Sequence, residues 1–145
     1  MTVSAKEVQE LRKISGAGMM ECKSALNDSN GDIKKAFKIL REKGVAKAEK
    51  KSDREANEGL IGIHKSEKGA AIVEINSETD FVSRNNEFQE LVDNILSKAV
   101  EAQGNKNVIE DCKDLINEAV GKIGENIVFR RLDYIEGKVY TYIHN

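Results

Sequence analysis

The apolar residues of this chain change their spacing three times, and that change restricts the fold more than any single motif. Up to about residue 44 they recur every three or four positions, as on helices that bury one face. From Gly59 to Asn76 they alternate, as on strands with one covered side. Helical spacing returns from Phe88 to Ile123, and two strand-like runs close the sequence. Helical and strand runs segregated in this way predict an α+β fold, with helices on one face of an antiparallel sheet.

Within residues 1–44 the pattern predicts three short helices. Val8, Leu11 and Ile14 share a side, with Ser4 as N-cap. Ser15-Gly16-Ala17-Gly18 is a turn, and Cys22, Ala25 and Leu26 form the second stripe. Asn27-Asp28-Ser29-Asn30-Gly31-Asp32 is dense in turn and cap residues, and Ile33, Ala36, Phe37 and Leu40 follow at helical spacing. Lys43-Gly44 reads as the end of that third helix, a cation near the last carbonyls followed by a glycine. Such short helices bury little and must form a compact bundle around a few residues. Residues 45–57, rich in Ala, Lys and Glu, read as a charged helical linker.

Residues 58–145 read as a β-β-α-α-β-β lobe. Gly59 to His64 is the first strand and Lys65 to Gly69 a hairpin loop. In the second strand, Ala70 to Asn76, Ala71, Val73 and Ile75 share one face. Phe88, Leu91, Val92, Ile95, Leu96 and Ala99 mark one long helix. Ile109, Cys112, Leu115, Ile116, Ala119, Val120 and Ile123 mark another, completing a helical pair on one face of the sheet. Ile127 to Ile135 and Val139 to Ile143 read as strands around Glu136-Gly137. With no proline in the chain, the turns fall to its 11 glycines and to Asn, Asp and Ser.

The residues argue for contact rather than catalysis. Charged residues make up 33% of the chain but the net charge is only -2, which disfavours direct binding of nucleic acid or a membrane surface. No apolar run approaches the roughly 20 residues that span a bilayer. Met1 to Glu7 lacks the apolar stretch of a secretory signal, so a cytoplasmic location is expected. Cys22 and Cys112 sit far apart at apolar helix positions and read as buried small hydrophobes. His64 reads as a sheet-surface residue, and no Cys–His or Ser–His–Asp grouping follows from spacing. Glu74, Glu78 and Asp80 alternate near one strand end, where a solvated edge explains them better than a metal or acid–base site. Gly16-Ala17-Gly18 lacks the lysine and preceding strand of a phosphate loop. No catalytic residue, metal or cofactor is expected.

Two places break the local pattern. Met19 and Met20 are adjacent, and a helical stripe can bury at most one of them. Spacing leaves open whether they tuck under the bundle or form an adaptable apolar patch. In Asn76-Ser77-Glu78-Thr79-Asp80-Phe81-Val82, Thr79 or Asp80 can start a helical turn, and Phe81 is a large ring in a polar link. Spacing alone favours a ring packed back on its own core.

Leu11 through Leu26, Arg12-Lys13-Ile14-Ser15-Gly16-Ala17-Gly18-Met19-Met20-Glu21-Cys22 among them, resembles the N-terminal signature of the bacterial elongation factor Ts family. Asn30-Gly31-Asp32, Ala36, Leu40-Arg41, Gly44, Lys47-Ala48 and Lys50-Lys51 continue the likeness. Glu78-Thr79-Asp80-Phe81-Val82 is similar to the family's most characteristic segment, and Ile123-Gly124-Glu125-Asn126-Ile127 with Arg130-Arg131 to a third. The resemblance covers essentially the whole chain. It implies a three-helix module like a ubiquitin-associated domain (1–44), the linker (45–57) and one core lobe (58–145).

The resemblance also implies guanine-nucleotide exchange on elongation factor Tu, in its GDP-bound and nucleotide-free forms, by protein binding rather than enzymatic chemistry. Arg12, Met19 and Met20 would meet the partner's GTPase domain. Thr79, Asp80, Phe81 and Val82 would intrude near its switch helices, displace Mg2+ and promote GDP release. Ile123 and Gly124 would line the same contact, and His144 matches a family histidine near the start of a following lobe. Longer relatives continue past the Tyr-x-His stretch, here Tyr142-Ile143-His144, so a short or truncated form with one lobe is expected. Some short relatives dimerise to complete the core, which leaves a homodimer open. The alternatives are a module that docks on elongation factor Tu with weak or no exchange and, more remotely, a ubiquitin-like binding module or an enzyme using Cys22 or Cys112.

Overall fold

Helix α1 (Ala5–Ser15) begins where Ser4 and Glu7 satisfy each other's backbone, in a computed structural model that describes residues 2–144. The Glu7 amide donates to Ser4 Oγ at 3.3 Å, and the Ser4 amide donates to the Glu7 carboxylate at 2.7 Å. The Ser4 hydroxyl also donates to that carboxylate, and this bond holds Glu7 below the usual carboxylate range. Gly16, in the left-handed region at φ 66°, closes α1. Helices α2 (Met19–Asp28) and α3 (Ile33–Lys51) follow, α3 capped by Asp32 accepting from the Lys35 amide at 3.0 Å. The bundle closes on Val8, Leu11, Cys22, Ala25, Leu26 and Ala36, with Ile33, Phe37 and Leu40 half-buried around them. Ile14 completes the stripe of α1 on paper but is exposed, because the stripe of this short helix already meets its neighbours through Val8 and Leu11.

The third helix does not stop at Gly44. It continues seven residues further to Lys51, so the expected linker is helical as far as Lys51, and a loop follows up to Glu58. A mid-helix glycine costs about 1 kcal/mol against alanine, but here α3 packs along α7 (Lys113–Ile123). Gly44 and Gly121 lie at that crossing: a Cβ on Gly121 would sit 3.8 Å from the Gly44 Cα, and one on Gly44 3.7 Å from the Asn117 carbonyl. The ion pairs Arg41–Asp114 and Lys47–Glu21 flank the crossing. Long-range packing therefore overrides the local stop signal. Met1 and Asn145, the outermost residues of the two expected units, lie outside the described residues.

Strands β1 (Glu58–Lys65), β2 (Gly69–Ser77) and β3 (Val128–Glu136) form an antiparallel sheet in the order β1-β2-β3. Gly62 pairs with Val73, which pairs with Leu132, and a bulge falls at Glu74/Ile75. As the alternation predicts, Ala71, Val73 and Ile75 are buried, under α5 (Asn86–Glu101). Phe88, Leu91, Val92, Ile95, Leu96 and Ala99 are all buried on α5. A Cβ on Gly62 would stand 2.7 Å from Leu96 Cδ1, so that glycine is what lets α5 lie down on β1.

Two expectations in this half are corrected. The second long helix breaks at Cys112 (φ -85°, ψ 0°) into α6 (Asn107–Asp111) and α7, which lets α6 touch β3 while α7 turns to α5 and α3. The strand expected over Val139 to Ile143 does not form. Gly137, at φ 102°, donates its amide to Lys68 O at 2.7 Å and steers the chain toward the β1–β2 hairpin. There Tyr140 lies 5.9 Å from Lys65 Nζ and 5.8 Å from Lys138 Nζ. Strand composition without a ladder partner is not enough to make a strand.

Candidate functional site

The segment after β2 carries an exposed aromatic ring, Phe81. Thr79 caps a single-turn helix, α4 (Asp80–Ser83), with its hydroxyl accepting from the Val82 amide at 3.5 Å. Ser83 Oγ donates to Asp80 O at 2.9 Å, and Ser77 Oγ donates to Thr79 O at 2.9 Å. Val82 turns inward against the core. Phe81 turns outward and is 81% exposed. The ring does not pack back on its own core, as spacing alone favoured; the turn gives the inward position to its neighbour Val82.

The structure joins this turn to the end of α7. Ile123 is half-buried against the core, and Gly124 ends α7 at φ 86°. The next residue, Glu125, reaches across: its Oε1 accepts from the amides of Glu78 (3.2 Å) and Thr79 (3.1 Å), and its Oε2 accepts from Thr79 Oγ1 (2.8 Å). Glu78 returns the contact by accepting from the Asn126 amide at 3.0 Å. From the end of α3, Lys51 Nζ donates to Gly124 O at 3.0 Å, and Arg54 Nη1 lies 3.5 Å from Glu78. Thr79, Asp80, Phe81, Val82, Ile123 and Gly124 thus share one end of the lobe. Glu125, Asn126, Lys51 and Arg54 received no role from the sequence. The signals were only that Glu125, Asn126 and Lys51 fall inside motifs of the resemblance, because carboxylate-to-amide bonds across 46 to 48 positions leave no periodicity.

Arg12, Met19 and Met20 belong to the helical bundle. Met19 is 53% and Met20 74% exposed, so neither tucks under it. Glu21 caps their helix by accepting from the Gly18 amide at 3.2 Å, and its ion pair with Lys47 holds its carboxyl below the usual range. Arg12 lines a groove of about 460 Å³ between the bundle and α7, with Gly16, Gly18 and Lys122 on its walls. A Cβ on Gly16 would collide with the Lys122 side chain, so the α1–α2 turn abuts the last turn of α7 just before Ile123 and Gly124. His144 is not brought into this set: it lies on the exposed tail beyond Tyr140, beside Tyr142.

The other sequence candidates resolve simply. Glu74 pairs with Arg131 at 2.6 Å and accepts from Asn76, and these bonds, Arg131 contributing most, hold its carboxyl below the usual carboxylate range. Asp80 pairs with Arg84 at 3.3 Å and Glu78 with Arg54, so the three acids turn to different partners. Among the described residues no group of three or more His, Cys, Asp or Glu could hold a metal ion. Both cysteines are buried and free, and burial pushes the Cys112 thiol up.

The fold and these surfaces define an α+β chain that presents apolar side chains from two packed units. A family model described as Elongation factor TS matches residues 78–145. The chain is 48% identical to elongation factor Ts of Bartonella quintana (strain Toulouse) and 48% identical to that of Mesorhizobium japonicum. It is 50% identical to that of Brucella anthropi. Each comparison covers 100% of this chain and 51% of the relative, so the chain spans about half the length of the curated relatives it matches. Over its whole length the chain is similar to these elongation factor Ts proteins, and the family model carries that likeness over residues 78–145.

Proposed function

We propose that this chain acts in translation elongation as a guanine-nucleotide exchange factor for elongation factor Tu, working in the cytoplasm by binding and not by chemistry of its own. The observation that carries the reading is the 81% exposed ring of Phe81, held outward on a turn fixed to the lobe. A large apolar side chain left in water gains most when a partner opens around it. In the proposal Thr79 to Val82 press near the partner's magnesium site, displacing Mg2+ from the GDP-bound form. Ile123 and Gly124 widen that contact, and Arg12, Met19 and Met20 dock the bundle on the GTPase domain. His144 would meet the partner separately.

No catalytic group is required. A factor that binds best to the nucleotide-free partner must weaken nucleotide binding by the same free energy. Release of labelled GDP from elongation factor Tu tests this. We expect the purified chain to speed release and Phe81→Ala to lose about tenfold or more of that effect, the scale of a buried aromatic anchor, with its melting transition intact. A Phe81→Ala variant as fast as wild type sinks the wedge. Binding without faster release assigns the chain to the docking module instead. A homodimer is also part of the proposal, supported by the exposed Ile61, Ile72 and Ile135 of the sheet; sedimentation of the purified chain as a monomer removes it.

A further inference from the structure

We infer that Glu125 and Glu78 form a reciprocal carboxylate clasp that sets the direction of the Phe81 ring, with Glu125 as a positioning residue for exchange; this rests on the exchange reading above. A helix of four residues cannot hold itself, since one hydrogen-bonded turn does not repay the ordering of its backbone. Nor does the ring anchor the turn, because it projects into solvent. Val82, packed against the core, fixes which face of the turn looks inward, and what grips Glu78 and Thr79 then sets where Phe81 points.

Glu125 supplies that grip through three hydrogen bonds, two from amides and one from a hydroxyl. An ionised carboxylate is acceptor-only, and bonds to it are shorter and stronger than neutral ones. The third bond has a further effect. Thr79 Oγ1 has one proton, and Glu125 takes it at 2.8 Å, which leaves a lone pair for the Val82 amide. The carboxylate thus orients the hydroxyl that caps α4. Glu78 grips the opposite loop through the Asn126 amide, and Asn126 Nδ2 donates to Arg54 O at 2.7 Å. Two acids side by side would repel, but Arg54 pairs with Glu78 at 3.5 Å, and Lys51 ties the end of α3 to the Gly124 carbonyl beside Glu125.

Glu125→Gln keeps size and shape but puts an NH2 group where an acceptor stood. If that group faces Thr79 Oγ1, the hydroxyl loses its acceptor and the cap its orientation. The sequence contains no tryptophan, so Phe81→Trp provides a single indole at the ring position, excited apart from the three tyrosines. In that background we expect Glu125→Gln to lower the fluorescence anisotropy of the indole while the protein still melts cooperatively. In the chain with Phe81 retained, we expect Glu125→Gln to raise the factor concentration for half-maximal GDP release about tenfold, the scale of one charge-assisted hydrogen bond. The plateau rate should stay, because a mis-aimed ring lowers the competent fraction and not what that fraction does. Should Glu125→Gln fail to fold, Glu125→Asp, which keeps the charge but shortens the reach, is held to the same criteria. Unchanged anisotropy overturns the clasp, and lowered anisotropy with unchanged half-saturation overturns its role in exchange. If the wild-type chain releases no GDP, the exchange reading fails while anisotropy still judges the clasp.

Discussion

The bundle and the lobe both hold apolar side chains out in water, but they support them in different ways. The bundle has six buried apolar residues and offers two methionines at the start of α2, beside a glycine turn. The lobe has a larger core built around Phe88, Ile95 and Val73, and offers one rigid ring on a turn held by Glu125. A small core cannot fix a surface side chain closely, so side chains that adapt suit it. A large core can support a shape that must arrive in one orientation. The difference teaches that exposure alone does not define a contact; what stands behind the exposed group decides whether it conforms or imposes.

The strongest test of that contrast is to damage each core. Phe88→Ala should cost the lobe about 3–5 kcal/mol and unfold sheet and α5 together. Leu11→Ala should loosen the bundle while the sheet holds, giving a separate early phase in urea followed by circular dichroism. One concerted transition, equally shifted in both variants, would erase the distinction. Next in size is Gly62→Val, whose branched side chain would press on Leu96 and Val92 and cost about 1–3 kcal/mol. Gly44→Ala, by contrast, finds ordinary contact distance at the α3–α7 crossing and should raise the thermal midpoint by improving helix propensity. Sharper still is a pair of conservative swaps read by binding to the proposed partner, elongation factor Tu. Phe81→Leu should weaken binding about tenfold, whereas Met20→Leu should change it by no more than about threefold, as volume-conserving swaps at adaptable sites do. Equal losses would remove the distinction between conforming and imposing contacts.

The smallest effect concerns the Glu21–Lys47 pair that ties α2 to α3. Its bond to Lys47 lowers Glu21 in the folded chain below the ordinary 4.5. A depressed carboxylate stabilises the folded state above its unfolded value, and that contribution is lost as pH falls through the folded value. Both partners are about two-fifths exposed, so the contribution is a small one and is screened by salt. The melting temperature of wild type should exceed that of Glu21→Gln at neutral pH, and the gap should close on acidification. A gap that persists in acid would show that the pair does not operate through charge.

What was legible in the sequence was what local rules govern. Ser4 with Glu7, Asp32 and Thr79 each cap the helix they announce. Ala71, Val73 and Ile75 bury as alternation requires, and Cys22 and Cys112 bury as small apolar groups. What was not legible depended on partners distant in sequence. Gly44 reads as a stop until α7 is alongside it. Val139 to Ile143 reads as a strand until Gly137 binds Lys68 and takes the chain elsewhere. For the candidate site, a motif located Thr79 to Val82 and Ile123-Gly124, but not the carboxylate exchange that joins them. Phe81 was read from spacing as core because composition cannot tell which of two adjacent apolar residues a single turn will face inward.

The uninterrupted course of α3 gives the molecule a fixed phase. A helix advances about 100° and 1.5 Å per residue, so the bundle's azimuth about the lobe is counted out residue by residue between Ile33 and Lys51. One inserted residue before Gly44 would swing the methionines about a quarter turn away from their setting, while seven would return them to within about 20° and carry them some 10 Å outward. Length changes that a flexible tether would absorb unnoticed are here converted into rotation.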